Sequence, residues 1–314
     1  MDGSTGLDIA AGYWLQQFFN GLVLASFYVT LATAYALLQG ITNKIVLSFG
    51  DFATYGAFAA VYGALWTMLG GHASTAVVLV ALAGASLTAG ALGLAAHALV
   101  FAPIARAPGQ AVMIASIGLS ILLQETMRLQ SDARDQWLPL LFPGKALVLG
   151  SCGFPVHFGV MQIIAVAIGL AATALVFATM RWTRAGRLWR ACAQNARLAE
   201  LSGVDTAQVL RWSFAGAGGL AGISGAIIAL AYGGVSFHMG LVLGFKAMFA
   251  AIIGGFGTVG GAVAGGILLA ALEVAWSAAF PLAYRDVAVF AIVVAILVLK
   301  PEGLVATNFQ RESE

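Results

Sequence analysis

Histidine is the side chain best suited to proton transfer and metal binding near neutral pH, and this sequence contains four. They are His72, His97, His157 and His238, and each lies far from the others along the chain. No spacing typical of a metal-ligand pair, no nucleophile elbow and no pair of carboxylates accompanies them. Catalysis requires polar groups that converge on one point, so the sequence gives little support to an enzyme.

A glycine-rich segment is the next pattern with a chemical meaning. Residues 255–260 read G-x-G-x-x-G, the spacing of a dinucleotide-binding turn. That turn follows a strand inside a βαβ unit, whereas here both flanks are long apolar stretches, so we predict no nucleotide site. Glycines also recur every four residues at Gly257, Gly261 and Gly265, a spacing typical of helices that pack closely in lipid.

Ionisable side chains interrupt the apolar stretches at Asp51, Glu125, Lys246 and Glu273. A charge at the bilayer centre costs about 2.5–3.5 kcal/mol on insertion scales, so such residues are expected to face the interior of a helical bundle. We expect Lys246 near the outer surface and Glu125 paired with Arg128 one turn away. Glu273 is the deepest, and it either makes a polar contact between helices or lines a transport pathway.

The arginine-rich segment Gly186–Glu200 is the most informative stretch of the chain. At about 100° per residue, one face carries Arg187, Arg190, Gln194 and Arg197. The other face carries Trp189, Cys192, Ala193, Ala196 and Ala199. This pattern predicts one short amphipathic helix that ends near Gly203, with Asp205 as the N-cap of the next helix. Charge alone leaves open whether the helix lies among lipid headgroups or docks on a partner protein.

The composition indicates that these residues belong to a membrane protein. Apolar residues make up 61% of the chain, charged residues 9%, and the mean hydropathy is +0.94. At about 20 residues per crossing, 314 residues allow roughly eight or nine spans. The predicted spans are 16–39, 46–69, 75–101, 111–130, 156–180, 206–232, 243–257, 262–280 and 286–300. The predicted fold class is therefore all-α, a polytopic transmembrane helical bundle in which 243–257 is short enough to be re-entrant.

The positions of Lys and Arg predict the orientation, because cytoplasmic loops carry their excess. The segment 181–205 contains Arg181, Arg184, Arg187, Arg190 and Arg197 and is placed in the cytoplasm. The N-terminus then lies outside, the C-terminus is cytoplasmic, and 131–157 is the largest external loop, with prolines that argue against helix. Cys152 and Cys192 fall on opposite sides, so no disulfide is expected between them. A net charge of +2 with scattered basic residues does not indicate nucleic-acid binding.

Two breaks in the apolar pattern, at 48–51 and 254–257, lie in opposite halves of the chain. Transporters often build their pathway at such paired breaks. The alternative is that these small residues are only loose helix starts, and the sequence leaves both open. The residues proposed for a pathway or for helix packing are Ser48, Gly50, Asp51, Gly254, Gly255, Gly257, Gly261 and Glu273.

Five segments carry a resemblance to a known family. They are Leu15–Gly21, Ala115–Ile121, Gly186–Gly203, Gly244–Ala262 and Pro301–Leu304, in this order along the chain. Taken together, they make the chain resemble the permeases of branched-chain amino acid ABC importers, the LivH/LivM family, over nearly its whole length. Residues 46–51 depart from the run that is common in the family, and the substrate therefore stays open among branched-chain amino acids, other amino acids, urea and amides.

The resemblance implies one transmembrane permease domain over residues 1–314, in the bacterial inner membrane. It also implies a second permease chain, cytoplasmic ATPase subunits and a periplasmic solute-binding protein as partners. ATP and Mg would bind to the ATPase subunits, so no cofactor, metal or catalytic residue is expected on this chain. The ATPase-coupling residues that it implies are Gly186, Arg187, Arg190, Ala191, Gln194, Arg197 and Gly203.

An ion-coupled secondary transporter of small solutes is the alternative, because broken helices and repeats also occur in that class. Such a carrier needs its own site for the coupling ion. Asp51 and Glu273 are the embedded carboxylates, but the sequence gives neither an evident partner. The arginine-rich segment would also be left without a role, so the importer is the favoured interpretation.

Overall fold

The computed structural model describes residues 3–71, 73–105, 107–139, 145–149, 156–255, 257–300 and 303. The α-helices are α1 (Gly3–Thr42), α2 (Phe49–Leu69), α3 (Ser74–Ala96), α4 (Gly109–Gln130), α5 (Val160–Trp182), α6 (Arg184–Gln194), α7 (Ala196–Leu201), α8 (Thr206–Tyr232), α9 (Met239–Gly254), α10 (Val259–Ala279) and α11 (Arg285–Leu299). A π-helical turn, His97–Phe101, extends α3, and a 3₁₀ turn, Leu282–Tyr284, precedes α11.

Eight helical segments of the described chain are long and apolar enough to cross a membrane. This confirms the predicted polytopic helical bundle. The apolar helix α9 is shorter, with 16 residues, or about 24 Å, against a hydrocarbon core of about 30 Å. The short segment expected at 243–257 therefore exists, but it begins earlier and ends at Gly254.

Four short strands accompany the helices: β1 (Gln136–Trp137), β2 (Lys145–Leu149), β3 (Val156–Gly159) and β4 (Gly234–Val235). β2 and β3 form an antiparallel hairpin within and just after the predicted external segment 131–157. β1 pairs antiparallel with β4, with Gln136 opposite Val235. This second pair links the segment after α4 to the segment after α8.

Helix α1 lies at the centre of the bundle and contacts α5, α8, α9 and α10. From Ser26 to Gln39 every residue is buried. A helix that is apolar around its whole circumference is expected to be surrounded by other helices, as α1 is. Polar side chains of α1 form hydrogen bonds within the helix. Thr30 donates to the carbonyl oxygen of Ser26 at 2.8 Å, and Thr42 donates to that of Leu38 at 2.9 Å.

Glycines bring the remaining helices into backbone contact. A Cβ atom on Gly225 of α8 would lie 1.9 Å from the carbonyl oxygen of Ala53 in α2. A Cβ on Gly265 of α10 would lie 1.8 Å from the carbonyl oxygen of Ala250 in α9. Small residues permit such contacts, which are a main source of helix association in lipid. The predicted close packing at Gly261 and Gly265 agrees with this geometry, whereas Gly257 lies in the turn before α10, with φ of +75°.

The connections gather at two ends of the bundle. We call the end that carries α6 and α7 the arginine end, and the end that carries β2 and β3 the hairpin end. At the arginine end Lys44 donates to the carbonyl oxygens of Ala105 and Ala107, at 2.8 and 3.1 Å. The α9–α10 turn reaches the same end, because the carbonyl oxygen of Gly257 approaches Gly40 near the end of α1.

Candidate functional site

The arginine-rich segment is two helices, α6 and α7, and not the single helix predicted. Asn195 separates them with an extended backbone, φ −156° and ψ 102°. Its side-chain oxygen accepts from the backbone N–H of Leu198 at 3.1 Å, so the residue is the N-cap of α7. Thr183 caps α6 in the same way by accepting from Gly186 at 3.2 Å. Asparagine is a strong capping residue, and Asn195 was therefore a readable signal for the break.

The two faces of this segment largely follow the prediction. Trp189, Cys192 and Ala199 are buried. The polar residues Arg187, Arg190, Gln194 and Arg197 are all exposed, and Ala191 is half-buried. Ala196 was expected on the buried face but is exposed, because the break at Asn195 changes the helical phase after α6.

The end of the segment also follows the prediction. Gly203 has φ of +85°, a conformation that glycine adopts readily, and α7 ends just before it. Asp205 then caps α8 by accepting from the backbone N–H of Gln208 at 3.0 Å. Cys192 is a free cysteine, and burial, with a smaller contribution from Glu200, raises the pKa of its thiol. Cys152 lies outside the described residues.

Trp189 fastens α6 to the central helix. Its indole Nε1 donates to the carbonyl oxygen of Leu37 in α1 at 3.0 Å. The ring lies against Gly40, where a Cβ atom would come within 2.7 Å of it. The sequence predicted a buried Trp189 but not its partner, because Leu37 is 152 positions away.

A second contact fastens α6 to the end of α5. A Cβ atom on Gly186 would lie 2.3 Å from the carbonyl oxygen of Met180, so only glycine fits there. The guanidinium of Arg190 donates to the same carbonyl oxygen. Among the predicted coupling residues, Gly186 and Arg190 therefore hold α6 in place, while Arg187 on α6 and Arg197 on α7 are exposed.

The α9–α10 turn lies beside the contact between Trp189 and Gly40. Gly255 and Gly257 have φ of +124° and +75°, and Thr258 caps α10 by accepting from Gly261 at 3.2 Å. A Cβ on Gly254 would lie 1.8 Å from the carbonyl oxygen of Gly261, so the backbones of α9 and α10 touch here. Gly303 packs on Gly255 from the chain's C-terminal segment, and the neighbouring residues 301, 302 and 304 lie outside the described part.

Asp51 is the centre of a polar contact between α2 and α4. Its side chain is 1% exposed, accepts from Ser120 Oγ at 2.5 Å and accepts from Gln124 Nε2 at 3.1 Å. One turn earlier, Ser116 Oγ accepts from the backbone N–H of Leu47 at 3.2 Å. The serines and the glutamine at positions 116, 120 and 124 therefore form one stripe of α4. Their i, i+4 spacing was visible in the sequence.

The two predicted breaks do not meet in the structure. Gly50 touches the first turn of α9, since a Cβ atom on it would lie 1.9 Å from the carbonyl oxygen of Gly240. The 254–257 break is at the other end of α9, against α10 and α1. Ser48 is buried where α2 begins, and its hydroxyl makes no hydrogen bond to any described residue. Both breaks are therefore places of close backbone packing.

A group of charges joins α1, α9, α10 and α11, and it consists of the buried pair Lys246 and Glu273 and the half-exposed pair Arg285 and Asp286. Lys246 Nζ lies 3.1 Å from Glu273 and 2.9 Å from Asp286, and Arg285 Nε lies 3.1 Å from Glu273. The Lys246 and Glu273 side chains are 4% and 3% exposed. Tyr28 also donates its hydroxyl to Glu273, at 2.5 Å. Two positive and two negative side chains balance one another, as burial in lipid requires.

This group answers a question that the sequence left open. Lys246 is buried and paired with Glu273 and with Asp286, whose side chain is 46% exposed at the start of α11, so the expected position of Lys246 near the outer surface stays a prediction. Glu273 makes a polar contact between helices, one of the two roles left open for it. Glu125 does pair with Arg128, as expected, in an exposed ion pair on α4. Within the part of the chain described, no group of three His, Cys, Asp or Glu side chains is placed to hold a metal ion.

The bundle of membrane-length helices, with a basic segment packed against one end, defines a multi-pass membrane protein. The family model for the permease component of branched-chain amino acid transport systems matches residues 17–297. The high-affinity branched-chain amino acid transport system permease protein LivH of Salmonella typhimurium is 32% identical over 294 residues, which cover 93% of this chain and 95% of that protein.

Two further relatives give the same picture. LivH of Escherichia coli K12 is 31% identical over 294 residues, and BraD of Pseudomonas aeruginosa is 28% identical over 293 residues, each covering 93% of this chain and 95% of the relative. The chain therefore belongs to the family of branched-chain amino acid transport system permease components. This membership confirms the resemblance found in the five sequence segments.

Proposed function

We propose that this chain is the permease subunit of an ABC importer in the bacterial inner membrane, and that it translocates branched-chain amino acids or related small solutes. The observation that carries the proposal, beside the family membership, is the construction of α6 and α7. Trp189 and Gly186 fix α6 to α1 and α5, while Arg187 and Arg197 face outward. A fixed amphipathic helix with outward charges is suited to pass motion from a partner into the bundle.

The family membership supports the partners, and the distribution of charge supports the side on which each of them binds. On the positive-inside rule, the basic residues of 181–205 favour a cytoplasmic arginine end, where the ATPase subunits would bind ATP and Mg. The hairpin end then faces the periplasm and receives substrate from a solute-binding protein. A second permease chain completes the pathway, because importers of this class work with two permease chains. The specificity for the substrate resides largely in the solute-binding protein.

In the proposed mechanism, closure of the ATPase dimer displaces α6. Trp189 carries this displacement to Leu37 and Gly40, at the end of α1. Gly40 in turn contacts the α9–α10 turn at Gly257, so α1, α9 and α10 respond together. A rigid-body exchange of this kind exposes a cavity between the permease chains first to one side and then to the other, without covalent chemistry on this chain.

The ion-coupled alternative is disfavoured by the surroundings of the two embedded carboxylates. Glu273 is neutralised by Lys246 and Arg285. Asp51 is buried and accepts hydrogen bonds from Ser120 and Gln124. A coupling ion would have to displace these partners before either carboxylate could bind it.

The docking role can be tested by reversing the charge of the outward arginines. In the Arg187→Glu/Arg197→Glu variant, the amount of co-purified ATPase and the rate of leucine uptake should both fall about tenfold or more. The introduced carboxylates would repel the partner surface that the arginines attract. Arg190 is left intact, since its guanidinium donates to Met180. The Arg134→Glu variant at the hairpin end, also exposed, is the control and should keep its ATPase subunits.

Two results would contradict this proposal. Normal leucine uptake and normal ATPase co-purification in the double variant would remove the docking role from α6 and α7. Transport by the purified chain alone, in liposomes with an ion gradient and without ATP, would identify a secondary transporter.

A further inference from the structure

A long apolar groove runs along the outside of the bundle between α1, α5 and α10. Its volume is about 720 Å³, within the range of small-molecule binding sites. Leu22, Val29, Leu170, Phe177 and Ile267 are among the large apolar side chains that line it. On α5 the lining residues extend from Val166 to Trp182, which is about 24 Å of helix and more than half of the hydrocarbon core.

The groove is apolar over most of its length and basic at one end. Arg181 and Trp182 line it at the arginine end, and both are exposed. None of its described lining residues is acidic, and Arg184 follows immediately at the start of α6. Tryptophan is enriched at the level of lipid headgroups, and basic pockets between membrane helices bind anionic headgroups. An occupant should therefore carry a negative charge at one end and an apolar chain at the other.

We propose that the groove binds one anionic phospholipid, with an acyl chain between α1, α5 and α10 and its headgroup paired with Arg181. The apolar walls accept the chain, and Arg181 selects the charge of the headgroup. The site lies next to the start of α6, because α5 ends at Trp182 and α6 begins at Arg184. The bound lipid would thus hold the end of α5 to which α6 is fastened.

The test is native mass spectrometry of the full chain, with its co-purifying subunits, titrated with phosphatidylglycerol or phosphatidylcholine of identical acyl chains. The wild type should retain one phosphatidylglycerol in preference to phosphatidylcholine. In the Arg181→Gln variant, the retention of phosphatidylglycerol relative to phosphatidylcholine should be about fivefold lower. The Ala174→Trp variant, which fills the groove, should lose retention of both lipids.

Two matched variants control for the loss of charge and for the added ring. Arg211→Gln removes an exposed arginine of α8 that does not line the groove, and Leu175→Trp adds an indole to an exposed position of α5 that does not line it either. Both should bind phosphatidylglycerol like the wild type. Equal retention of the two lipids by the wild type, or no effect of Arg181→Gln, would overturn the proposal. Crosslinking of an Ala174→Cys variant to a second permease chain would also overturn it, by showing a protein in the groove.

Discussion

Lys246 and Glu273 form the most deeply buried ion pair among the described residues, and each charge is tolerated there because the other neutralises it. The Glu273→Gln variant leaves Lys246 and Arg285 with Asp286 as their acidic partner. Breaking a buried ion pair on one side costs about 3–5 kcal/mol, so the free energy of unfolding should fall by that amount. Denaturant or thermal unfolding in detergent micelles measures the change.

Two further variants make this prediction specific. Lys246→Met/Glu273→Met removes both charges, leaves Arg285 to pair with Asp286, and should recover most of the loss. Glu125→Gln breaks the exposed pair with Arg128 and should cost less than about 1 kcal/mol. Equal losses for Glu273→Gln and Glu125→Gln would show that burial does not set the strength of the central pair.

Cys192 provides a second prediction at a single residue. Its thiol is buried, and the resulting rise in its pKa leaves less of the reactive thiolate near pH 7. In a Cys152→Ser background, Cys192 should react slowly with a maleimide at pH 7 and faster as the pH rises toward the pKa of the thiol. A cysteine at the exposed position Ala196 should react rapidly at pH 7. Mass spectrometry measures both rates. Equal rates for Cys192 and for the cysteine at position 196 at pH 7 would show that Cys192 is on the surface.

The burial of single residues could be predicted from the sequence, but their partners could be predicted only where they are one helical turn away. The position of Glu273 within an apolar stretch indicated burial, because a charge there must face other helices. Its partner Lys246 is 27 positions away and Tyr28 is 245 away, so only the packing of four helices brings them together. The Glu125–Arg128 pair was predictable, since its members are one helical turn apart.

At the scale of helices, the crossing of α2 and α9 depends on Gly50. A Cβ atom there would lie 1.9 Å from the carbonyl oxygen of Gly240 and 2.3 Å from the backbone nitrogen of Gly244. Both neighbours are backbone atoms, so Gly50→Ala must separate the helices and should lower the free energy of unfolding by about 1–3 kcal/mol. Unfolding in detergent micelles again provides the measurement.

The matched control for this crossing is Gly118→Ala on α4, where no atom lies within 4 Å of the added Cβ. Alanine has the higher helix propensity, by about 1 kcal/mol, so this variant should be unchanged or more stable. If both variants lost the same stability, helix propensity rather than close approach would explain the glycines.

The helices themselves were predictable because long apolar runs have few other structures available in lipid. Their ends were less so, and α6 and α7 show why. The pattern of charges extended through Asn195 without interruption, while the local capping preference of that residue ended one helix and began another. The pairing of β1 with β4 gave no local signal, since Gln136 and Val235 are nearly a hundred positions apart.

For the whole molecule, α9 decides on which sides the two termini lie. Eight spans alone would leave them on the same side. In the structure α9 also crosses the bundle, because the turn that follows it brings Gly257 to Gly40 at the arginine end, where Gly303 also packs. Helix α10 then returns toward the hairpin end, where Tyr13 donates to the carbonyl oxygen of Ala278. The beginning of α1 and the end of α11 therefore lie at opposite ends of the bundle.

This arrangement predicts opposite outcomes for reporters fused to the two termini. With the arginine end in the cytoplasm, a C-terminal green fluorescent protein should fluoresce and a C-terminal alkaline phosphatase should be inactive, while an N-terminal fusion should behave the opposite way. Single cysteines in a cysteine-free background provide an independent check. An impermeant maleimide should label Asp132→Cys at the hairpin end in intact cells, and Ala196→Cys only after lysis. Labelling of both positions from the outside would contradict the orientation, and termini on the same side would mean that α9 does not complete its passage.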